Sequence, residues 1–124
     1  MNTNPETILK SIPDFDEFIK LASEISSLMY QKMVLEVEIR SGESKVFETA
    51  TTSEKYFQNG KPPASTFIDN TWKYRGIDGE LLPLREKMAV LVSQLEEKKI
   101  QMDIYKSMLE VWRTLSANQR SATL

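Results

Sequence analysis

Ten residues in the second half of the chain constrain it most. Leu81, Leu84, Met88, Leu91, Leu95, Lys98, Met102, Tyr105, Leu109 and Trp112 follow one another at intervals of three and four. Sustained over more than four repeats, that spacing is the heptad seam of a long helix packed against another helix. Lys98 is its one polar guest. A second row, Ile104, Met108, Val111 and Leu115, broadens the apolar face, so the last third of the helix is expected to meet more than one neighbour. Pro83 lacks an amide donor and belongs in the first turn, which places this helix over residues 79–117 and leaves 118–124 as a fraying tail.

A helix needs a partner, and the first half supplies one over residues 14–44. Pro13, Asp14 and Glu17 resemble a capping box with Asp14 in the capping position. Phe15, Phe18, Ala22, Ile25 and Met29 form one apolar row, and Leu21, Ile25, Leu28, Leu35 and Ile39 a second, with Gly42 as the first expected break. The fold class that follows is all-α: one helical domain over 1–124, a long antiparallel hairpin carrying an extended insert at 45–78. Two such broad stripes cannot both be covered in a lone hairpin, and exposed apolar patches of that size mark partner surfaces. A homo-oligomer is therefore expected, with Leu84, Met88, Leu91, Leu95, Met102, Tyr105, Leu109 and Trp112 at its interface.

Inventory narrows function by subtraction. The 124 residues suffice for one domain and contain neither Cys nor His. Cys–His and Ser–His–Asp catalysis and the usual zinc sites are thereby excluded. Neither "SGESK" nor "NGKPPAS" has the spacing of a phosphate-binding loop. The expectation is a protein that is not an enzyme and uses no cofactor or metal. Asp14, Asp16 and Glu17 read as helix-terminus acids, and Met29, Met33, Met88, Met102 and Met108 as core fillers. No apolar run reaches the roughly 18–20 residues that span a bilayer, and "MNTNPETILK" lacks the features of an export signal, which makes cytoplasm the expected compartment.

The insert is compositionally different. Tyr56, Phe57, Phe67, Trp72 and Tyr74 are five of the chain's eleven aromatic residues. Residues 55–75 carry Lys55, Lys61, Lys73 and Arg75 against Asp69 alone, a balance of +3, whereas residues 1–44 hold eight acidic and four basic side chains, a balance of −4. Interleaved rings and cations suit single-stranded nucleic acid, since rings stack on bases while Lys and Arg neutralise phosphates. "FIDNTWKYRG" alternates enough to be extended, with Ile68, Asn70, Trp72 and Tyr74 on one side and Thr71, Lys73 and Arg75 on the other. The competing reading folds the rings back as a lid on the open end of the hairpin and leaves the cations in solvent. Asn59-Gly60 marks a turn, and Lys61-Pro62-Pro63 a stiff bend after it.

Over residues 45–120, from "SKVFETATTSEKYFQNGKPPASTFIDNTWKYRG" through "GELLPLREKMAVLVSQLEEKKIQMDIYKSMLEVWRTLSANQR", the layout resembles the UvsY-like recombination mediators of tailed phages. The resemblance lies in helix phasing and in the Ser/Thr, aromatic and Lys character of the connection. It implies a ring-like homo-oligomer that binds single-stranded DNA and helps load a RecA-type recombinase onto DNA held by single-strand-binding protein, in the cytoplasm of an infected bacterium. The nucleic-acid-binding residues expected here are Lys55 and Lys61 from the resemblance, joined by Tyr56, Trp72, Lys73, Tyr74 and Arg75 from the reading of the insert. The chain departs from that family in its net charge of −2 and in lacking a dense basic cluster. Two rival classes remain. A prefoldin-like chaperone would need paired β-hairpins within 45–78. A phage assembly or host-takeover protein would use the exposed apolar stripe, with the aromatics as interface anchors.

Overall fold

A computed structural model describes residues 14–122, and the elements found there are all helical apart from one isolated bridge. Helix α1 spans Phe15–Thr52, a single 3₁₀ turn covers Glu54–Tyr56, α2 spans Ser65–Thr71, and α3 spans Leu82–Ala122. Pro13 lies outside the described residues.

The start of α1 follows its capping chemistry. The Asp14 carboxylate accepts the Asp16 amide at 2.9 Å, and the Asp14 carbonyl accepts the Phe18 amide. The end of α1 differs from expectation. Gly42 does not break the helix, which continues for ten further residues to Thr52. The reason is tertiary: a methyl group at Gly42 would collide with the Leu81 side chain, so the glycine permits close approach inside a helix whose packing outweighs the local cost. The insert accordingly begins at Ser53 rather than at residue 45. At the far end, α3 starts with Leu82 and Pro83, as the missing amide requires, but runs through the expected tail to Ala122. Its last turn carries Arg120, whose guanidinium reaches the Ser116 carbonyl. Residues 123 and 124 lie outside the described residues.

Contacts divide the chain into two compact units, and in each a piece of α1 runs antiparallel to a piece of α3. The first unit joins the beginning of α1 to the end of α3. There the rings of Phe18 and Tyr105 meet at 5.3 Å, and the Tyr105 hydroxyl donates to the Asp14 carbonyl at 2.7 Å. Burial, and then the charges of Asp14 and Glu17, raise the pKa of that phenol. Leu21, Leu95 and Met102 are buried, and the polar guest Lys98 stands 2.7 Å from the Glu24 carboxylate. The second unit, Met29–Ser93, holds the rest of α1, the insert and the first turns of α3. Its core is Val46, Ala50, Ile68 and Leu81, all at most 3% exposed, with Trp72, Ile77 and Leu84 packed on it.

Burial corrects several sequence-based assignments. Of the seam residues, Leu91, Leu95 and Met102 are buried by their own chain and Leu84, Met88, Tyr105, Leu109 and Trp112 are half-buried by it. Of the five methionines read as core fillers, Met88 and Met102 are covered, whereas Met29, Met33 and Met108 stand exposed. Phe15 and Ala22 are also exposed, because the seam of α1 runs instead through Phe18, Leu21, Ile25, Leu28, Leu35 and Ile39. Most of the second row of α3 is uncovered too: Ile104, Met108 and Val111 are about half exposed (56%, 51% and 48%), and only Leu115 of that row is half-buried. On the two long helices, the large apolar side chains left exposed lie beside the seams, not in them.

Candidate nucleic-acid interface

The insert folds into a cap at the α1–α3 connection of the second unit. Asn59 and Gly60 both take positive φ, 54° and 76°, which is the backbone of a tight two-residue hairpin turn. Gln58 and Lys61 exchange both backbone hydrogen bonds across it, at 2.8 and 3.1 Å. The turn was legible in Asn-Gly. The paired hairpins that a prefoldin-like chaperone would need are not found among the described residues, where this bridge stands alone.

The segment read as extended, "FIDNTWKYRG", is helical at its start. Residues Ser65–Thr71 form α2, the Ala64 carbonyl accepts the Ile68 amide, and Trp72 closes the helix by donating its amide to the Ile68 carbonyl. Period-two alternation loses here to one buried side chain. Ile68, 1% exposed, sits against Val46, Ala50 and Leu81, and a helical turn brings Trp72 onto the same face. Ile68, Asn70, Trp72 and Tyr74 therefore do not share a strand face.

The aromatic residues divide into two sets. Trp72 is half-buried, with Phe67 edge-on at 5.3 Å and Tyr56 edge-on at 5.7 Å. This is a structural cluster that closes the cap over the core, as the lid reading anticipates. Tyr74 stands apart and is 64% exposed. The Arg85 guanidinium lies 4.7 Å from its ring centroid, and Phe67 offers a further accessible ring at 36% exposure.

The cations are all on the surface. Lys55 extends over the Tyr56 ring at 5.5 Å, Lys61 occupies the hairpin turn, and Arg75 is exposed beside the Glu80 loop. Lys73 lies 4.0 Å from Glu43 on α1. Together with Ser44, Phe47, Ile68 and Asp69, these two residues line a groove of about 300 Å³. Between Ser53 and Leu81 the four cations meet Glu54, Asp69, Asp78 and Glu80, so 4 − 4 leaves no net charge. A polyanion would find single cations beside accessible rings rather than a basic field, which gives weak contacts that salt screens readily.

Three residues that sequence reading passed over build this surface. Arg85 donates from Nε to the Tyr74 carbonyl at 3.0 Å and from Nη2 to the Lys73 carbonyl at 3.3 Å, and approaches Glu43 at 3.7 Å. One guanidinium thereby ties the Lys73–Tyr74 backbone to α1 through Glu43. Glu80 accepts the amides of Ile77 and Asp78 at 3.1 and 2.7 Å, and its carboxylate fills the space that a side chain at Gly76 would need. Partial burial pushes its pKa up, but the amides of Glu80, Asp78 and Ile77, with Arg75 nearby, more than offset this and hold it below the usual carboxylate value. Only "GIDGE", a turn followed by an acid, hinted at such a device.

Among the described residues no group of His, Cys, Asp and Glu is placed to hold a metal ion, and no helix is long and apolar enough to cross a membrane. Comparison with protein-family models, with curated proteins and with solved structures returned no match for this chain.

Proposed function

We infer that this is a non-enzymatic, self-associating helical protein that binds single-stranded DNA through its cap. Its cellular role would be that of a recombination mediator that helps a RecA-type recombinase displace single-strand-binding protein. The supporting observation is the surface around Tyr74. An accessible ring is held by Arg85 and followed in sequence by Arg75, while Lys73 stands beside the Glu43 groove. Lys55 and Lys61 add cations elsewhere on the cap. Each such contact is weak, and weak contacts suit a protein that must hand its strand over. Several copies on one strand restore affinity through effective concentration, by about 10²–10⁴. The recombinase and single-strand-binding partners rest on the resemblance of layout alone.

The experiment is a salt titration of binding to fluorescent single-stranded oligonucleotides. The reading expects affinity that falls steeply with salt, with a slope that drops by about 0.7 for each phosphate contact removed by Lys61→Ala, Lys73→Ala or Arg75→Ala. Absence of binding at low salt removes it.

A second reading, a helical assembly or host-takeover protein, is favoured by a different observation. Ile100, Ile104, Met108 and Val111 leave an apolar row on α3 open to a protein partner. An unchanged binding partner profile after the cap cations are neutralised would favour it.

A further inference from the structure

The seam of α1 is filled by its own chain, yet the same helix carries another stripe. Tyr30, Met33, Val37, Ser41 and Ser44 are all exposed, the first three at 69%, 63% and 64%, and none is charged. Their positions are symmetric about Val37, at seven and four residues before it and four and seven after it. At 3.6 residues per turn all five fall within about 40° of one line along the helix. The two residues before Val37 are large and the two after it are small.

We propose that this stripe is the contact surface for a second copy of the chain, paired antiparallel across a two-fold axis at Val37. That operation lays Tyr30 over the partner copy's position 44 and Met33 over its position 41, large against small at each level, with Val37 meeting itself. Packing of that kind lets two helices approach closely without voids. A parallel pairing would instead set large on large and then small on small. The rims carry a second signature. Arg40 and Glu36 lie on the same side of the stripe, and the two-fold brings each within about 3 Å, along the axis, of the opposite charge on the other copy. Glu38, on the other rim, would face its own counterpart.

The contact is isologous and closes as a dimer. A larger ring needs a further surface, for which the open row on α3 is available. The proposal specifies the self-association that the functional reading invokes, but it concerns no nucleic acid, so its test is independent of DNA binding. Only about 21 Å separates Tyr30 from Ser44 along the helix, which puts the contact at the small end of interface sizes and calls for protein near 100 µM, roughly.

The test uses the full chain, which has no cysteine of its own. Val37→Cys should be linked to itself by a short bis-maleimide. Tyr30→Cys should be linked to Ser44→Cys in a mixture and not to itself. Sedimentation equilibrium should show a dimer that Val37→Arg weakens at least tenfold, that Arg40→Glu weakens and that Glu38→Gln tightens, each with unchanged helicity. A wild-type monomer at that concentration, or linking of Tyr30→Cys with itself, overturns the proposal.

Discussion

Leu81 lies against the bare backbone of Gly42, at a point that the first helix passes through on its way to Thr52. Leu81 is 2% exposed and packs in one cluster with Val46, Ala50 and Ile68, so displacing its side chain disturbs that core. Gly42→Ala sets a gain of roughly 1 kcal/mol in helix propensity against an overpacking cost of about 1–3 kcal/mol. The expected outcome is a net loss of about 1 kcal/mol in urea unfolding. Adding Leu81→Ala to that variant should cost less than Leu81→Ala does in the wild type, because the added methyl occupies part of the vacated space.

The Glu80 loop gives the cap an acid-sensitive fastening. Its carboxyl pKa is lowered in the folded chain, so the unfolded state binds the proton more tightly. The stabilisation is present above the ordinary carboxylate pKa and is lost as pH falls through the depressed folded value. Thermal melts of the wild type and Glu80→Gln between about pH 3 and 7 should therefore differ most near neutrality and converge in acid. A constant difference across that range would show that Glu80 acts through packing alone.

Lys98 and Glu24 are each about one third exposed in their side chains, and their ion pair sits within the helix seam. Hydrogen bonding to Lys98 lowers the Glu24 pKa, and the same bond raises that of Lys98. Exposed pairs of this kind contribute little, whereas a seam position rewards an apolar side chain. Lys98→Leu should leave the melting temperature unchanged or raise it, and should reduce the salt dependence of the melt, which the remaining ion pairs keep above zero. A large destabilisation would mean that the pair, rather than the surrounding seam, organises this end of the helices.

Trp72 and Tyr74 are two residues apart and should behave differently. Trp72 is braced by Phe67 and Tyr56 on the core, so Trp72→Ala should cost about 3–5 kcal/mol and loosen the cap. Tyr74→Ala should leave stability within about 0.5 kcal/mol, as surface substitutions do, and weaken oligonucleotide binding by about 1–3 kcal/mol. Equal effects of the two on both measurements would dissolve the division between structural and accessible rings.

Much of this molecule was legible in one dimension. The three-and-four spacing of Leu81 through Trp112 fixed a helix and its inward face, because periodicity projects directly onto a regular helix. Asp14, Pro83 and Asn59-Gly60 set a start, a first turn and a tight turn through local stereochemistry that needs no distant partner. Other features depended on residues remote in sequence. Gly42 is a breaker by propensity and an interior helical residue only because Leu81 arrives beside it. "FIDNTWKYRG" alternates like a strand, yet folds as a helix because Ile68 finds Val46, Ala50 and Leu81. Arg85 gains its role from the Lys73 and Tyr74 carbonyls and Glu43, none of which its neighbours foretell. Sequence alone determined which side chains wish to leave water and with what period. Only the tertiary structure decided which of them meet their own chain and which are left facing outward, because burial is a property of packed elements and not of the residue.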